Sequence, residues 1–245
     1  MNGKDLASII REQESGINAH ERGRYMTNAF SVLMRKVYVW MALALVITGF
    51  TAYYAAHSSF IYTLMSTPAL MWGLIIAELV LVIGLSAAIH KLSLTVATVM
   101  FVAYSVINGL TLASIFLIYT KESIAQVFFI TAGTFAAMAL YGYTTKKDLT
   151  SIGKYLFMAL IGIIIATLVN LFFHNSMVTT VVSYLGVLVF VGLTAYDTQK
   201  IKQMCMSFEY ADTNAQKLAL LGSLTLYLDF INLFIHLLSI LGKRE

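Results

Sequence analysis

Residues 152–173 read IGKYLFMALIGIIIATLVNLFF. Past Lys154 the stretch carries no charge. It matches the roughly 20 apolar residues that a helix needs to cross the hydrocarbon core of a bilayer. Such a run cannot present a wettable surface, so lipid has to cover it. Comparable runs occupy residues 37–56, 69–89, 92–118, 124–144 and 178–197. A seventh, over 217–241, is interrupted by Asp229, Asn232 and His236. Membrane strands would alternate over about ten residues, and no such pattern is present. The expected fold is an all-α membrane protein with seven transmembrane helices. It divides into a polar cytoplasmic N-terminal tail (1–36), a transmembrane domain (37–241) and a short C-terminal tail (242–245).

Composition agrees. Of the 245 residues 59% are apolar and 11% charged, against about 25% charged in soluble domains. The net charge of +4 does not mark nucleic-acid binding, because the Lys and Arg are scattered between apolar runs and form no patch. A single cysteine, Cys205, excludes an intramolecular disulfide. The first 36 residues are polar and hold six Lys or Arg, unlike a secretory signal peptide. Tyr38, Trp40, Tyr53, Tyr54 and Trp72 sit near run ends, as an interfacial belt would.

Charge asymmetry orients the chain. Of the 16 Lys and Arg, 13 fall on the side that holds residues 1–36 and the loops near 91, 145–154 and 198–217. Lys121, Lys243 and Arg244 fall on the other. Basic loops stay cytoplasmic, so the N-terminus is expected inside, and Cys205 is expected in a cytoplasmic loop with its thiol reduced. The position of Lys243 and Arg244 leaves a second reading open, in which the last segment is re-entrant.

Three acidic residues lie within runs: Glu78 in the second, Asp197 at the end of the sixth and Asp229 in the middle of the seventh. No Lys or Arg lies in a run core. A buried acid costs about 2.5–3.5 kcal/mol on insertion scales. Each of the three therefore has to hold a proton, share hydrogen bonds or bind a cation. Asp197 can also be solvated beside Lys200 and Lys202, and Glu78 can serve structure alone. Asp229 is harder to explain that way, being roughly 18 Å into its helix at 1.5 Å per residue. On a helix, Gly222, Thr225, Asp229, Asn232, His236 and Ser239 form one small-and-polar stripe. A packing seam accounts for Gly222 and Thr225; a polar path for a cation or proton accounts for all six. Tyr104, Asn108 and Thr111 share a face of the third run, and Asn170 sits in the fifth; both read as interhelical glue. His57, His90 and His174 fall at solvated ends.

Gly192-Leu193-Thr194-Ala195-Tyr196-Asp197-Thr198-Gln199-Lys200-Ile201-Lys202 resembles a signature of the Bax inhibitor-1 family (transmembrane Bax inhibitor motif proteins), as does Leu226-Tyr227-Leu228-Asp229-Phe230-Ile231-Asn232-Leu233-Phe234. The stretch Tyr141–Leu149 is similar to the family's as well. The resemblance spans about residues 27–242 and points to the bacterial branch, hence to the bacterial inner membrane. It implies a central C-terminal helix surrounded by six others, and the activity of a pH-sensitive calcium leak. Calcium is then the transported ion, with no cofactor. The resemblance also implies that Asp197 and Asp229 form a proton-sharing, pH-sensing pair able to bind calcium weakly. Glu78 matches an acidic position of the family's second helix, and Asn232 and His236 extend the ion pathway. Some bacterial members carry Arg where this chain has Ser239, so a basic partner for an acid would have to come from His236 or Lys243.

The chemistry fits those roles. Two carboxylates in low dielectric cannot easily both ionise. Deprotonated, they offer the hard oxygen ligands calcium prefers. Two are too few for tight binding, which suits an ion that must leave. The expected partners are the lipid bilayer, calcium, protons and other membrane proteins, not nucleic acid. Other functions fit less well. Intramembrane aspartyl proteases also pair two aspartates, but they place glycines before the second, where this chain has Leu226, Tyr227 and Leu228; no enzyme activity is expected. A proton-coupled transporter would be expected to show an inverted repeat, and none is evident. A regulatory protein acting through membrane partners remains the main alternative.

Overall fold

In hydrocarbon every backbone N–H and C=O must be satisfied within its own segment, so each apolar run closes into a helix. The computed structural model describes the backbone of residues 3–244 and the side chains of residues 21–244. The helices are α1 (Gly3–Ala56), α2 (Phe60–Ser66), α3 (Pro68–Ala88), α4 (Leu94–Leu112), α5 (Lys121–Thr144), α6 (Thr150–Phe173), α7 (Ser176–Met206) and α8 (Thr213–Leu241). A 3-10 turn, Ala113–Leu117, extends α4. All except the short α2 include a stretch long and apolar enough to span a membrane.

Helix starts carry the side-chain acceptors that unpaired N–H groups require. Ser93 Oγ accepts from Val96 N, Thr120 Oγ1 from Ser123 N, Asn175 Oδ1 from Met177 N and Val178 N, and Asp212 Oδ1 from Ala215 N. Asn170, at the end of α6, binds Asn175 and Thr179 and so pins the turn into α7.

Burial ranks the helices. In α8, 67% of the most apolar window is buried, against 6% in α3 and in α6. The main partners of α8 are α7, α1, α5 and α4, while α3 packs chiefly on α4 and α6 on α7. A Cβ at Gly142 of α5 would collide with the Ala195 carbonyl of α7, so these two helices pack backbone to backbone. Lipid-facing positions such as Ile83, Ile165 and Phe172 are apolar and exposed.

Several boundaries differ from those expected. The packed core already includes Leu33 and Met34, within the residues assigned to the tail. α7 does not stop near 197 but runs to Met206, leaving only residues 207–212 between it and α8. Cys205 is therefore not in a loop: it lies in the last turn of α7 and is fully buried. The apolar run ends where Asp197, Lys200 and Lys202 enter the sequence, yet Ile201 and Cys205, one and two turns on from Asp197, remain in the packed core. Between α1 and α3, where a plain loop was expected, α2 folds back and buries Ile61 and Leu64 against Ala55 and Ala113.

α8 is uninterrupted from Thr213 to Leu241. After it, Thr120 N donates to Lys243 O at 3.1 Å and Lys243 N to Ser123 Oγ at 2.8 Å. The chain thus leaves α8 at the end where α5 begins, as a full span does and a re-entrant segment does not. At the opposite end Arg22 pairs with Glu209 through two 3.1 Å bonds. Lys36 binds Gln216 there, and Lys217 donates to the His90 and Leu92 carbonyls.

Candidate functional site

The antiparallel pairing of α7 with α8 sets the site. A Cβ on Gly222 would meet Ile201, and Ser183 Oγ donates to Ser239 Oγ at 2.9 Å. Between those levels Asp197 and Asp229 line one cavity, close enough for their carboxyl groups to interact. The pairing depends on α7 continuing past Ile201, which it does. Asp229 is 4% exposed, and its Oδ2 has no donor among the described residues. A carboxylate has no hydrogen to offer, so the two can bond only while one of them is protonated. Lys200, one turn from Asp197, lines the same cavity; it is one of the two lysines that the reading of a solvated Asp197 placed beside it.

The pair opens onto a cavity of about 760 Å³ between α3, α4, α6, α7 and α8. Glu78, Asp197, Asp229 and Asn232 all line it, with Tyr104, Thr225, Lys154 and Lys200. All three intramembrane acids therefore face one space. Asn232 Nδ2 is held by the Leu228 carbonyl at 2.8 Å. His236 lies beyond this cavity, its ring stacked on Phe190 at 5.7 Å and 27°.

Glu78 accepts from Thr111 Oγ1 at 2.6 Å and from Asn108 Nδ2 at 3.3 Å. Asn108 Oδ1 accepts from Tyr227 OH at 2.9 Å. The Tyr227 hydroxyl also lies 2.6 Å from Thr48 Oγ1, which donates to the Ser105 carbonyl at 2.8 Å. One polar chain thus ties α3, α4, α8 and α1 together, with Tyr227 fully buried at its centre. Reasoning from the sequence missed Tyr227 and Thr48. The signal was there: a phenol deep in a span needs a partner.

The loop after α5 is clamped to α7. Gln199 accepts from Leu149 N at 2.9 Å and donates to the Lys147 carbonyl at 2.8 Å, and Lys202 donates to the Tyr143 carbonyl. Two of the quoted motifs therefore grip each other beside the aspartates. Among the described residues no three His, Cys, Asp or Glu side chains converge on a metal position. Ser239 is bonded to Ser183, and among those residues neither His236 nor Lys243 lies within salt-bridge reach of an acid.

The chain matches the family described as "Inhibitor of apoptosis-promoting Bax1" over residues 30–245. It belongs to this Bax inhibitor family. It is 55% identical over 214 residues to the inner membrane protein YbhL of Escherichia coli (strain K12), covering 86% of this chain and 92% of that one. Uncharacterized proteins of Borreliella burgdorferi and Rickettsia prowazekii are each 44% identical, again across 86% of this chain and 92% and 89% of theirs. As a Bax inhibitor family member with seven membrane-crossing helices, the protein is an integral, multi-pass membrane protein. Its E. coli relative is named for the inner membrane.

Proposed function

We propose that this family member is a pH-sensitive cation leak, with calcium as the ion carried and Asp197–Asp229 as the proton sensor. The observation that carries the reading is that Glu78, Asp197 and Asp229 line one cavity within the span region, with Asp229 buried and one of its oxygens without a donor. With one shared proton the pair bears a single negative charge and holds α7 to α8. When that proton leaves, two carboxylates repel across the contact and become hard ligands for a cation. Calcium takes about six to eight oxygens, so two carboxylates with Asn232 and water hold it weakly, as conduction needs. Glu78 adds a third charge of the same sign. No catalytic step is required of any residue.

The test is a cycle of substitutions with calcium flux into liposomes as the readout. Asp197→Asn and Asp229→Asn each remove one member of a shared-proton pair, so each should flatten the dependence of flux on pH. The double variant should add little, as coupled sites do. Independent, additive shifts would refute the shared proton.

A further inference from the structure

The residues lining the acidic cavity stop at Ile164 and Asn232, short of the outer ends of α6 and α8. Beyond it, between α6, α7 and α8, lies a smaller chamber of about 180 Å³ whose lining mixes Thr167, Asn170, Thr179, Ser183, His236 and Ser239 with the apolar Val182 and Ile235. Four of these residues also line a wider opening of about 550 Å³ that reaches His174 at the end of α6 and Arg244. No residue is common to the acidic cavity and either outer space. A stacked pair stands where the two approach: Phe190 lines the acidic cavity, His236 lines the chamber, and their rings lie 5.7 Å apart. Gly186, one turn from Phe190, leaves room for the imidazole, since a Cβ there would collide with the His236 ring.

We propose that this chamber, with its ring of hydroxyl and amide side chains, is the outer half of the ion pathway and that Phe190 and His236 form the gate closing it from the acidic cavity. The chamber offers hydroxyl and amide oxygens to a hydrated cation and carries no carboxylate. The gate is an apolar ring braced by an imidazole, a constriction that excludes water until one ring turns aside. Arg244 at the outer mouth is held 5.9 Å over the Tyr119 ring. It discourages cations from entering, so the outer half favours slow leakage over free flow. The proposal takes its purpose from the leak reading, but its geometry can be tested without any flux.

Accessibility of introduced cysteines provides that test. The buried Cys205 is first replaced (Cys205→Ala). In right-side-out vesicles, a small membrane-impermeant thiosulfonate added outside should label Ser239→Cys, beyond the gate, and leave Asn232→Cys unlabelled. Adding Phe190→Ala should make Asn232→Cys reactive from outside. His236→Ala, at a side chain only partly buried, should do the same with less risk to folding. Outside labelling of Asn232→Cys with both gate residues intact would overturn the proposal, as would failure of the folded His236→Ala variant to extend labelling. A protein that carries no calcium would still give the expected labelling, so failure of the gate and failure of the leak are read separately.

Discussion

At the scale of single residues, the buried polar atoms are the informative ones. Tyr227 holds Asn108 with its hydroxyl and touches Thr48, all within the packed region. Tyr227→Phe keeps the ring and its edge-on contacts with Phe101 and Tyr104 but strands Asn108 Oδ1. An unsatisfied buried acceptor costs about 1–3 kcal/mol, and the variant should lose about that much stability in reversible unfolding in detergent. Unchanged stability would mean that water replaces the hydroxyl. Glu78, Asp197 and Asp229 were legible in the sequence because an acid in an apolar run is costly and has to hold a proton, share hydrogen bonds or bind a cation. Tyr227 and Thr48 were not, because each also serves as ordinary filler, and only the fold shows that their hydroxyls meet.

At the scale of elements, the clamp between the α5–α6 loop and α7 decides where α6 starts. Asp148 Oδ1 accepts from Thr150 N at 2.9 Å and Thr150 Oγ1 at 2.6 Å, and these bonds hold its carboxyl below its ordinary pKa. A depressed carboxyl stabilises the fold fully above its unfolded value and loses that contribution as pH falls through the folded one. Asp148→Ala should therefore lower the melting temperature near neutral pH. The gap to wild type should close in strong acid, as melting curves across pH will show. The helices themselves were readable as apolar runs, and most run ends fall within a few residues of the helix ends. The cytoplasmic extension of α7 was not, because hydropathy averages over Asp197, Lys200 and Lys202, whereas Ile201 and Cys205 continue the packed face alone.

At the scale of the whole molecule, the charge asymmetry and the fold agree. Arg22, Lys36, the lysines of the α5–α6 loop, Lys202 near the end of α7 and Lys217 near the start of α8 gather at one end, while Lys121, Lys243 and Arg244 lie at the other. Cys205 is too buried to report topology. The exposed Ser207 and Ser66 stand at opposite ends and suit the purpose. In a Cys205→Ala background, Ser207→Cys should react with an impermeant thiol reagent only after the membrane is opened, and Ser66→Cys without opening it. The reverse pattern would invert the orientation. The placement of α8 is the other whole-molecule result. It is the most buried helix and the one that carries Asp229, Asn232 and His236 past two cavities.

The central claim is that three acids around one cavity make a pH-controlled path for cations. The direct measurement is calcium entry into liposomes that hold only the purified protein, scanned across pH and repeated with chloride as the tracer. The predicted result is calcium flux above that of empty liposomes, changing with pH, and no chloride flux. Flux equal to that of empty liposomes at every pH, or passage of chloride as readily as calcium, would contradict it.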